Sequence, residues 1–218
     1  MNTLMPRERR EVAPGAVHLP DWLSIDAQSE LVEACRTWAM APAPMRAAKT
    51  PGGGHMSVQT VCLGWHWRPY AYSRTADDVD GAPVPPIPGW LADMGRRAVT
   101  EAYVDQSAGN RYSPDIALIN FYDDVARMGM HQDKDEHADA PVVSLSIGDT
   151  CLFRFGNTND RNKPWADVEL QSGDLFVFGG PSRLAFHGVP RVYPRTADPD
   201  SGLSNGRLNI TLRVSGLP

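Results

Sequence analysis

The chain has 218 residues, of which 42% are hydrophobic and 22% are charged, so it is long enough for one well-buried domain of ordinary globular composition. Its net charge of −5 argues against a dedicated duplex-DNA binder, which normally presents a basic face, but allows a local grip on a few nucleotides. The 19 prolines and 19 glycines indicate many turns and favour a strand-rich architecture over a helical bundle.

Two features of the chain bear on its cellular setting. No apolar run approaches the length of a membrane span, and the first residues lack the apolar core of a secretory signal. The three cysteines (Cys35, Cys62 and Cys151) are scattered and form no CxxC pair. We therefore expect reduced thiols in a cytoplasmic protein without a membrane segment.

The N-terminal half contains two predicted helices. Residues 1–12 are polar and are expected to form a disordered tail. Apolar residues recur at helical spacing over residues 26–40, and a second helix is predicted from about Pro88 through residue 104. Between the helices, residues 50–73 are rich in glycine and aromatic residues, which indicates hairpins or a flexible cover.

After residue 110 the pattern changes to short strands separated by Gly, Asp, Asn and Pro. We predict strands over residues 116–122, 142–147, 151–155, 166–170, 174–178, 185–189 and 207–214. So many short strands in about a hundred residues fit a closed or double-sheet architecture such as a jelly roll. The predicted fold class is mainly β (α+β), in a single domain of residues 1–218.

A candidate metal site begins at His131 and Asp133. Residues i and i+2 of an extended chain share a face, so this imidazole and this carboxylate can converge on one ion. His187, in a predicted strand, is the best third ligand, whereas His137 is interpreted as a solvated loop residue. Two histidines and one carboxylate form the facial triad of non-haem iron(II) oxygenases, which leaves positions open for substrate and O₂.

The last predicted strand supplies a second signal. Its even positions from 208 to 212 are aliphatic, whereas its odd positions are Arg207, Asn209, Thr211 and Arg213. Buried arginines are rare unless they meet an anion, and the guanidinium fork suits a carboxylate. The alternative is an edge strand with one wet face, although such a face would more often carry Lys, Glu and Thr. An iron site beside two arginines suggests a 2-oxoglutarate-dependent dioxygenase.

At this level of detail the chain resembles the AlkB family of nucleic-acid dealkylating dioxygenases, over roughly residues 13–215. The matching stretches are TPGG (50–53), LGW (63–65), YAYS (70–73), IN-Y (119–122), HQDKDE (131–136), FGG-SRL--HG (178–188) and R-N-T-R (207–213). The resemblance implies a double-stranded β-helix (jelly-roll) core over about residues 112–215, with flanking N-terminal helices. A nucleotide-recognition lid over about residues 45–75 would cover its mouth.

The resemblance also implies roles for individual residues. His131, Asp133 and His187 would bind Fe(II), and His131 would also back the damaged base. Trp65 would stack on the other face of that base, and Asp135 would accept from its exocyclic amine. The implied 2-oxoglutarate ligands are Asn120, Tyr122, Arg207, Asn209 and Arg213, with Arg213 on the distal carboxylate. The other implied substrate contacts are Met56, Ser57, Tyr70, Tyr72 and Arg161.

The implied reaction is oxidative demethylation of bases such as 1-methyladenine and 3-methylcytosine, with release of formaldehyde, succinate and CO₂. The partner would be DNA, or RNA, that is single-stranded or has the base flipped out, because such a base cannot be reached in the stack. We expect a monomer. Phosphate contacts could come from a few cations, each of which is more often a solvated surface charge: Arg46, Lys49, Arg127, Lys134, Arg161 and Lys163.

Two other functions compete with this one. A 2-oxoglutarate hydroxylase or demethylase of a protein or small molecule would share the fold and the iron site. Trp65 and Asp135 argue against it, because together they suit a flat base with an amine donor. A non-catalytic jelly-roll binding module is the other alternative, and the intact triad and both arginines argue against that.

Overall fold

The computed structural model describes residues 6–50 and 52–218, and none of the helices in these ranges is both long and apolar enough to cross a membrane. The helices are α1 (Ile25–Trp38), α2 (Gly89–Tyr103) and α3 (Gln106–Arg111). The strands are β1 (Arg10–Ala13), β2 (Ala16–Leu19), β3 (Arg46–Lys49), β4 (His55–Leu63), β5 (His66–Arg68), β6 (Ala71–Ser73), β7 (Ile116–Tyr122), β8 (Met128–His131), β9 (Val142–Gly148), β10 (Cys151–Phe155), β11 (Ala166–Leu170), β12 (Leu175–Phe178), β13 (His187–Val192) and β14 (Arg207–Arg213).

Both predicted helices are confirmed, and local chemistry explains their ends. The side chain of Ser24 accepts a hydrogen bond from the Ala27 amide and so caps α1. Pro88 precedes the first turn of α2, and Val104 ends the helix in a left-handed conformation at φ 52°. All seven predicted strands are present, although β13 begins at residue 187 instead of 185. The short elements α3, β1, β2 and β8 were not predicted from the sequence.

Twelve of the strands form two facing sheets, β5 and β6 pair in a separate hairpin, and the jelly-roll prediction is confirmed. The larger sheet has eight strands in the order β1-β2-β12-β9-β14-β7-β4-β3, and the smaller has four in the order β11-β10-β13-β8. Aromatic side chains fill much of the space between the sheets, among them Phe153 and Phe155 from β10 and Phe176 and Phe178 from β12. Helices α1 and α2 cover the outer face of the larger sheet.

Strand alternation decides which side chains enter the space between the sheets. On β14, Leu208, Ile210 and Leu212 pack toward the helices, so the odd residues point inward. The strand lies between β9 and β7, and all of its residues are buried. The alternative, an edge strand whose odd-numbered residues face solvent, is therefore wrong. The two arginines of this strand project into the interior of the barrel.

The N-terminal region differs from the prediction in two ways. Within the described range, the expected tail includes Arg7, which pairs with the buried Asp174 at 2.7 and 2.8 Å, and β1 begins at Arg10; residues 1–5 lie outside the described residues. The jelly-roll core also extends beyond residues 112–215, since β2 pairs with β12 and β4 pairs with β7. Much of the predicted lid is thus part of the larger sheet, which leaves the β5–β6 hairpin and the β3–β4 turn as the cover.

Candidate active site

Two histidines meet because β8 and β13 are neighbours in the smaller sheet. His131 and His187 are register partners, and their ring centroids lie 4.5 Å apart. Gly188 allows this close approach, since a Cβ at that position would lie 2.6 Å from the carbonyl oxygen of Met128. The HG pair of the sequence therefore has a local structural reason: the glycine lets the strand carrying His187 come close to β8.

Asp133 completes a cluster whose geometry fits a metal ion. One ligand atom from each of His131, Asp133 and His187 lies within 4.8 Å of the others. Each imidazole directs Nδ1 at a backbone carbonyl, that of Gly129 at 2.9 Å and that of Ala185 at 3.0 Å. These contacts orient the rings so that both Nε2 atoms face the carboxylate, which is the usual arrangement of histidines that bind a metal.

The protonation states at this cluster also suit a divalent metal. Burial opposes ionisation of Asp133, but the charges of Arg213 and of the two histidines lower its pKa to about 2. Burial lowers the pKa of His187 to about 4, against the opposing pull of the Asp133 carboxylate. A carboxylate and a neutral imidazole are the forms that bind a metal, so these residues fit the iron(II) that the facial triad implies.

A narrow cavity of about 40 Å³ runs from the metal ligands into the barrel. Its lining includes every residue predicted to bind 2-oxoglutarate: Asn120, Tyr122, Arg207, Asn209 and Arg213. Arg207 is 1% exposed, and its guanidinium donates to Ser146 Oγ at 2.9 Å and lies over the Tyr122 ring. Its Nε and Nη1 atoms have no hydrogen-bond partner within the described residues, so two buried donors are available to an anionic ligand.

The structure places Arg213, which is expected to bind the distal carboxylate of 2-oxoglutarate, beside the candidate metal ligand Asp133. Its Nη2 lies 2.8 Å from Oδ1 of Asp133, which places this guanidinium at the end of the cavity that holds the His-Asp-His cluster. Arg207 lies at the other end of β14, so it is the better placed of the two arginines for the distal carboxylate. Arg213 keeps one free donor, Nε, among the described residues.

A second cavity, of about 290 Å³, opens on the other side of the metal cluster. It shares His131, Asp133 and Asn120 with the first cavity, so the metal site lies where the two meet. Met56, Tyr70 and Asp135, predicted as substrate contacts, line it as expected. Tyr70 is 73% exposed, which leaves its ring available at the mouth.

The aromatic plane that lines this cavity is Trp67, whereas Trp65, which was expected to stack on the base, does not line it. Trp65 is 8% exposed and packs against Cys62 and Leu118, with its indole N–H on Asp115 and the guanidinium of Arg74 3.5 Å from its ring centroid. The tight turn at Gly64 explains this placement. Its φ is +78°, and a Cβ there would lie 1.9 Å from the carbonyl oxygen of Asp115.

Several contacts hold Trp67 in the cavity wall. Its indole N–H donates to Asp135 at 3.0 Å, and its backbone carbonyl accepts from Arg46 at 2.5 Å. Arg46 is one of the candidate phosphate contacts, but its side chain is 12% exposed and is bound to Thr60, His66 and Asp78. Arg46 therefore supports the cavity wall from behind instead of meeting the solvent.

Three other predicted substrate contacts lie elsewhere. The Tyr72 hydroxyl is buried against Glu136 and Arg213, and Ser57 Oγ exchanges hydrogen bonds with the backbone of Arg127 at 3.0 Å. Arg161 lies over the Phe186 ring and does not line either cavity. Tyr72 and Ser57 therefore organise the site from outside the cavity, and a nucleotide would meet Arg161 only beyond the cavity mouth.

Sequence reasoning missed several residues of the site. Trp67 is the second aromatic of the WHW triplet, and alternation in a hairpin could have raised it as a candidate. Glu136 has a side chain that is 0% exposed and bonds to Arg183 and Arg213. Ser144 and Ser146 hold Asn209 and Arg207 at 2.7 and 2.9 Å. The two serines alternate on β9 with aliphatic residues that face the helices, which is a signal that the sequence does contain.

Comparisons with known proteins agree with this geometry. The family model for the 2OG-Fe(II) oxygenase superfamily matches residues 15–213. An alpha-ketoglutarate-dependent dioxygenase AlkB homolog of Caulobacter vibrioides is 40% identical, with 93% of this chain and 88% of that protein covered. A DNA N(6)-methyladenine demethylase of Arabidopsis thaliana is 35% identical over 94% of this chain, which spans only 50% of that longer protein.

A solved structure extends the comparison to three dimensions. The structure of OsALKBH1 has a TM-score of 0.82 and 37% sequence identity, and covers 94% of this chain and 99% of that one. The chain therefore belongs to the AlkB family, within the 2OG-Fe(II) oxygenase superfamily.

Proposed function

We propose that this protein is an iron(II)- and 2-oxoglutarate-dependent dioxygenase that removes N-methyl groups from nucleobases. One observation carries the proposal: the metal triad lies at the junction of two cavities with different chemistry. The inner cavity ends at buried arginine donors that have no partner among the described residues, as a dicarboxylate requires. The outer cavity offers a flat indole and a carboxylate, as a base with an exocyclic amine requires.

The residues divide the work between binding and positioning. Iron(II) held by His131, Asp133 and His187 would supply the activation of O₂ that is coupled to decarboxylation of 2-oxoglutarate. Arg207 would bind the distal carboxylate of the co-substrate, and Arg213 would donate Nε to its metal-binding end. His131 lines both cavities and so would bring the N-methyl group close to the metal. Hydroxylation of that methyl group gives a hemiaminal, which releases formaldehyde and restores the base.

A nucleobase can enter the outer cavity only after it has left the helical stack. We propose that the substrate is single-stranded or flipped-out DNA, with RNA as the alternative, and that the protein acts as a monomer. A methyl group on the Watson–Crick edge blocks pairing and so lowers the cost of extrusion. Lys134 is exposed and lines the cavity, which supports a role in binding the phosphate next to the flipped base.

The decisive experiment measures formaldehyde from an oligonucleotide that contains one 3-methylcytosine. We expect release that requires both iron(II) and 2-oxoglutarate and that accompanies stoichiometric succinate. A matched oligonucleotide with unmodified cytosine is the control. Succinate formation without any formaldehyde from methylated bases would remove the nucleobase assignment and leave the dioxygenase assignment standing.

A hydroxylase of a protein or small molecule remains the second candidate for the same metal site. The hydrogen bond from Trp67 to Asp135 favours a nucleobase as substrate over a protein or a small molecule, because it places an acceptor at the edge of an aromatic plane.

We also propose a cytoplasmic setting. All three cysteines are buried free thiols, which supports a reducing compartment.

A further inference from the structure

The β5–β6 hairpin is bound to the loop after the metal ligand at two adjacent positions. Trp67 and Tyr72 are register partners on the hairpin. We call this cross-strand pair the rung, and we expect its two residues to move together. The indole of Trp67 donates to Asp135 at 3.0 Å, and the hydroxyl of Tyr72 donates to Glu136. Two consecutive carboxylates thus hold the two halves of a single rung, and both lie within three residues of Asp133.

Glu136 connects this rung to the co-substrate cavity. Its side chain is 0% exposed, and its Oε1 lies 2.8 Å from Nη1 of Arg213. The Tyr72 hydroxyl lies 3.4 Å from the same Nη1, so the phenol, the carboxylate and the guanidinium form a closed triangle. A buried carboxylate needs such partners, and Arg183 supplies another at 3.1 Å.

Arg213 is therefore held from two sides. Glu136 binds Nη1 and Asp133 binds Nη2, each at 2.8 Å, while Nε lacks a partner among the described residues. The two ion pairs fix the plane of the guanidinium, and that plane determines where Nε points. Removal of either anchor would let the guanidinium rotate, because the remaining contact fixes only one nitrogen.

We propose that Tyr72 and Glu136 are positioning residues that couple the base in the outer cavity to the co-substrate in the inner one. This inference rests on the proposed function. A base stacked on Trp67 restrains the rung, the rung holds the Tyr72 hydroxyl on Glu136, and Glu136 orients Arg213 toward 2-oxoglutarate. Coupling between two binding sites is reciprocal, so each ligand tightens the other by the same factor.

The test measures the dissociation constant of 2-oxoglutarate by calorimetry, with Mn(II) in place of iron so that no turnover occurs. Each titration is run with and without a short single-stranded oligonucleotide that contains one 3-methylcytosine. We expect the oligonucleotide to tighten 2-oxoglutarate binding by about fivefold or more in the wild-type protein. In Tyr72→Phe, which removes one hydroxyl, the ratio of the 2-oxoglutarate dissociation constants without and with oligonucleotide should fall toward one.

Two further variants separate coupling from general damage. Tyr193→Phe also removes a phenol hydroxyl, but at a residue that lines neither cavity. This variant should keep the wild-type ratio of the 2-oxoglutarate dissociation constants without and with oligonucleotide. Glu136→Gln should lose the coupling and also weaken 2-oxoglutarate binding without oligonucleotide, since Arg213 loses one anchor. Thermal unfolding of each metal-free variant establishes that it is folded before the titrations are compared.

The outcomes distinguish this inference from the proposed function. A wild-type protein that releases formaldehyde but shows no coupling, or a Tyr72→Phe protein that keeps the full coupling, overturns the inference alone. A wild-type protein that neither binds the methylated oligonucleotide nor releases formaldehyde from it overturns the proposed function, and the inference with it.

Discussion

Arg213 and the candidate metal ligand Asp133 form an ion pair, with Nη2 of the arginine 2.8 Å from Oδ1 of the carboxylate. One oxygen of Asp133 is thereby engaged by a permanent charge, while Oδ2 faces His187. The pair joins the candidate metal cluster to the inner cavity, where we propose that 2-oxoglutarate binds. A substitution of Arg213 therefore alters both sites, so Arg207 is the arginine that tests the co-substrate site by itself.

Arg207→Met should raise the KM for 2-oxoglutarate by about 10- to 100-fold, since charged hydrogen bonds contribute about 1.5–3 kcal/mol. The maximal rate should recover at high 2-oxoglutarate, because Arg207 has no contact with the metal ligands. Steady-state succinate formation measures both quantities. Arg191→Met, an exposed arginine on β13, is the matched control. An unchanged KM would remove Arg207 from the co-substrate site.

His131→Ala should abolish succinate formation and weaken metal binding while the fold survives. The imidazole is 38% exposed, so its loss leaves a smaller cavity in the core than loss of His187, whose side chain is 9% exposed, would. Metal content after dialysis and far-ultraviolet circular dichroism measure the two properties. Turnover retained in this variant would contradict the metal assignment.

Trp67→Ala should raise the KM for a methylated oligonucleotide by about 5- to 100-fold, which corresponds to the loss of one base–aromatic stack. Trp65→Ala provides the contrast within the same triplet. Trp65 is buried beside Cys62 and Leu118, so its removal should lower thermal stability while the KM of the remaining folded protein changes little. The reverse pattern would restore Trp65 as the stacking residue.

Asp135→Ala should change the balance of activity among methylated bases, because its carboxylate would accept from the exocyclic amine of adenine or cytosine. The carboxylate also holds the Trp67 indole, so some loss on every base is expected as well. Asp135→Asn keeps an acceptor for that indole and separates the two effects. Rates on 1-methyladenine and 3-methylcytosine that fall equally in both variants would count against base reading.

Asp174, which lies outside the active site, makes the free energy of unfolding depend on pH. Burial opposes ionisation of this carboxylate, but hydrogen bonds from His18 and Arg7 outweigh it and lower its pKa. A lowered folded-state pKa contributes stability above the unfolded value of about 3.9, and that stability is lost as the pH falls through the folded pKa. Asp174→Asn should reduce the free energy of unfolding by about 3–5 kcal/mol at pH 7, with a smaller difference below about pH 4.

Urea unfolding of wild type and Asp174→Asn between pH 3 and pH 7 would measure this difference. Asp167→Asn is the control, because Asp167 is a surface carboxylate paired with Arg154 and should contribute little. Equal stability of Asp174→Asn and wild type at pH 7 would show that the ordered N-terminal segment, which Arg7 attaches to Asp174, adds nothing to the fold.

The sequence by itself determined the features that repeat along the chain. Period-two alternation on β14 separated the aliphatic face from the face with Arg207 and Arg213, and it did so correctly because a strand sends neighbouring side chains to opposite sides. The His-x-Asp spacing predicted two candidate ligands that do lie together, although Asp133 comes just after the end of β8. The capped helices and the strands after residue 110 followed from equally local rules.

Tertiary structure alone decided which residues meet across the fold. His131 and His187 are 56 positions apart and become partners only through the register of β8 and β13. The choice between Trp65 and Trp67 depended on a glycine turn that packs against Asp115, and the position of Arg213 depended on Glu136 and Asp133. Spacing along the chain carries no information on such contacts, because they depend on how separate strands pair and pack.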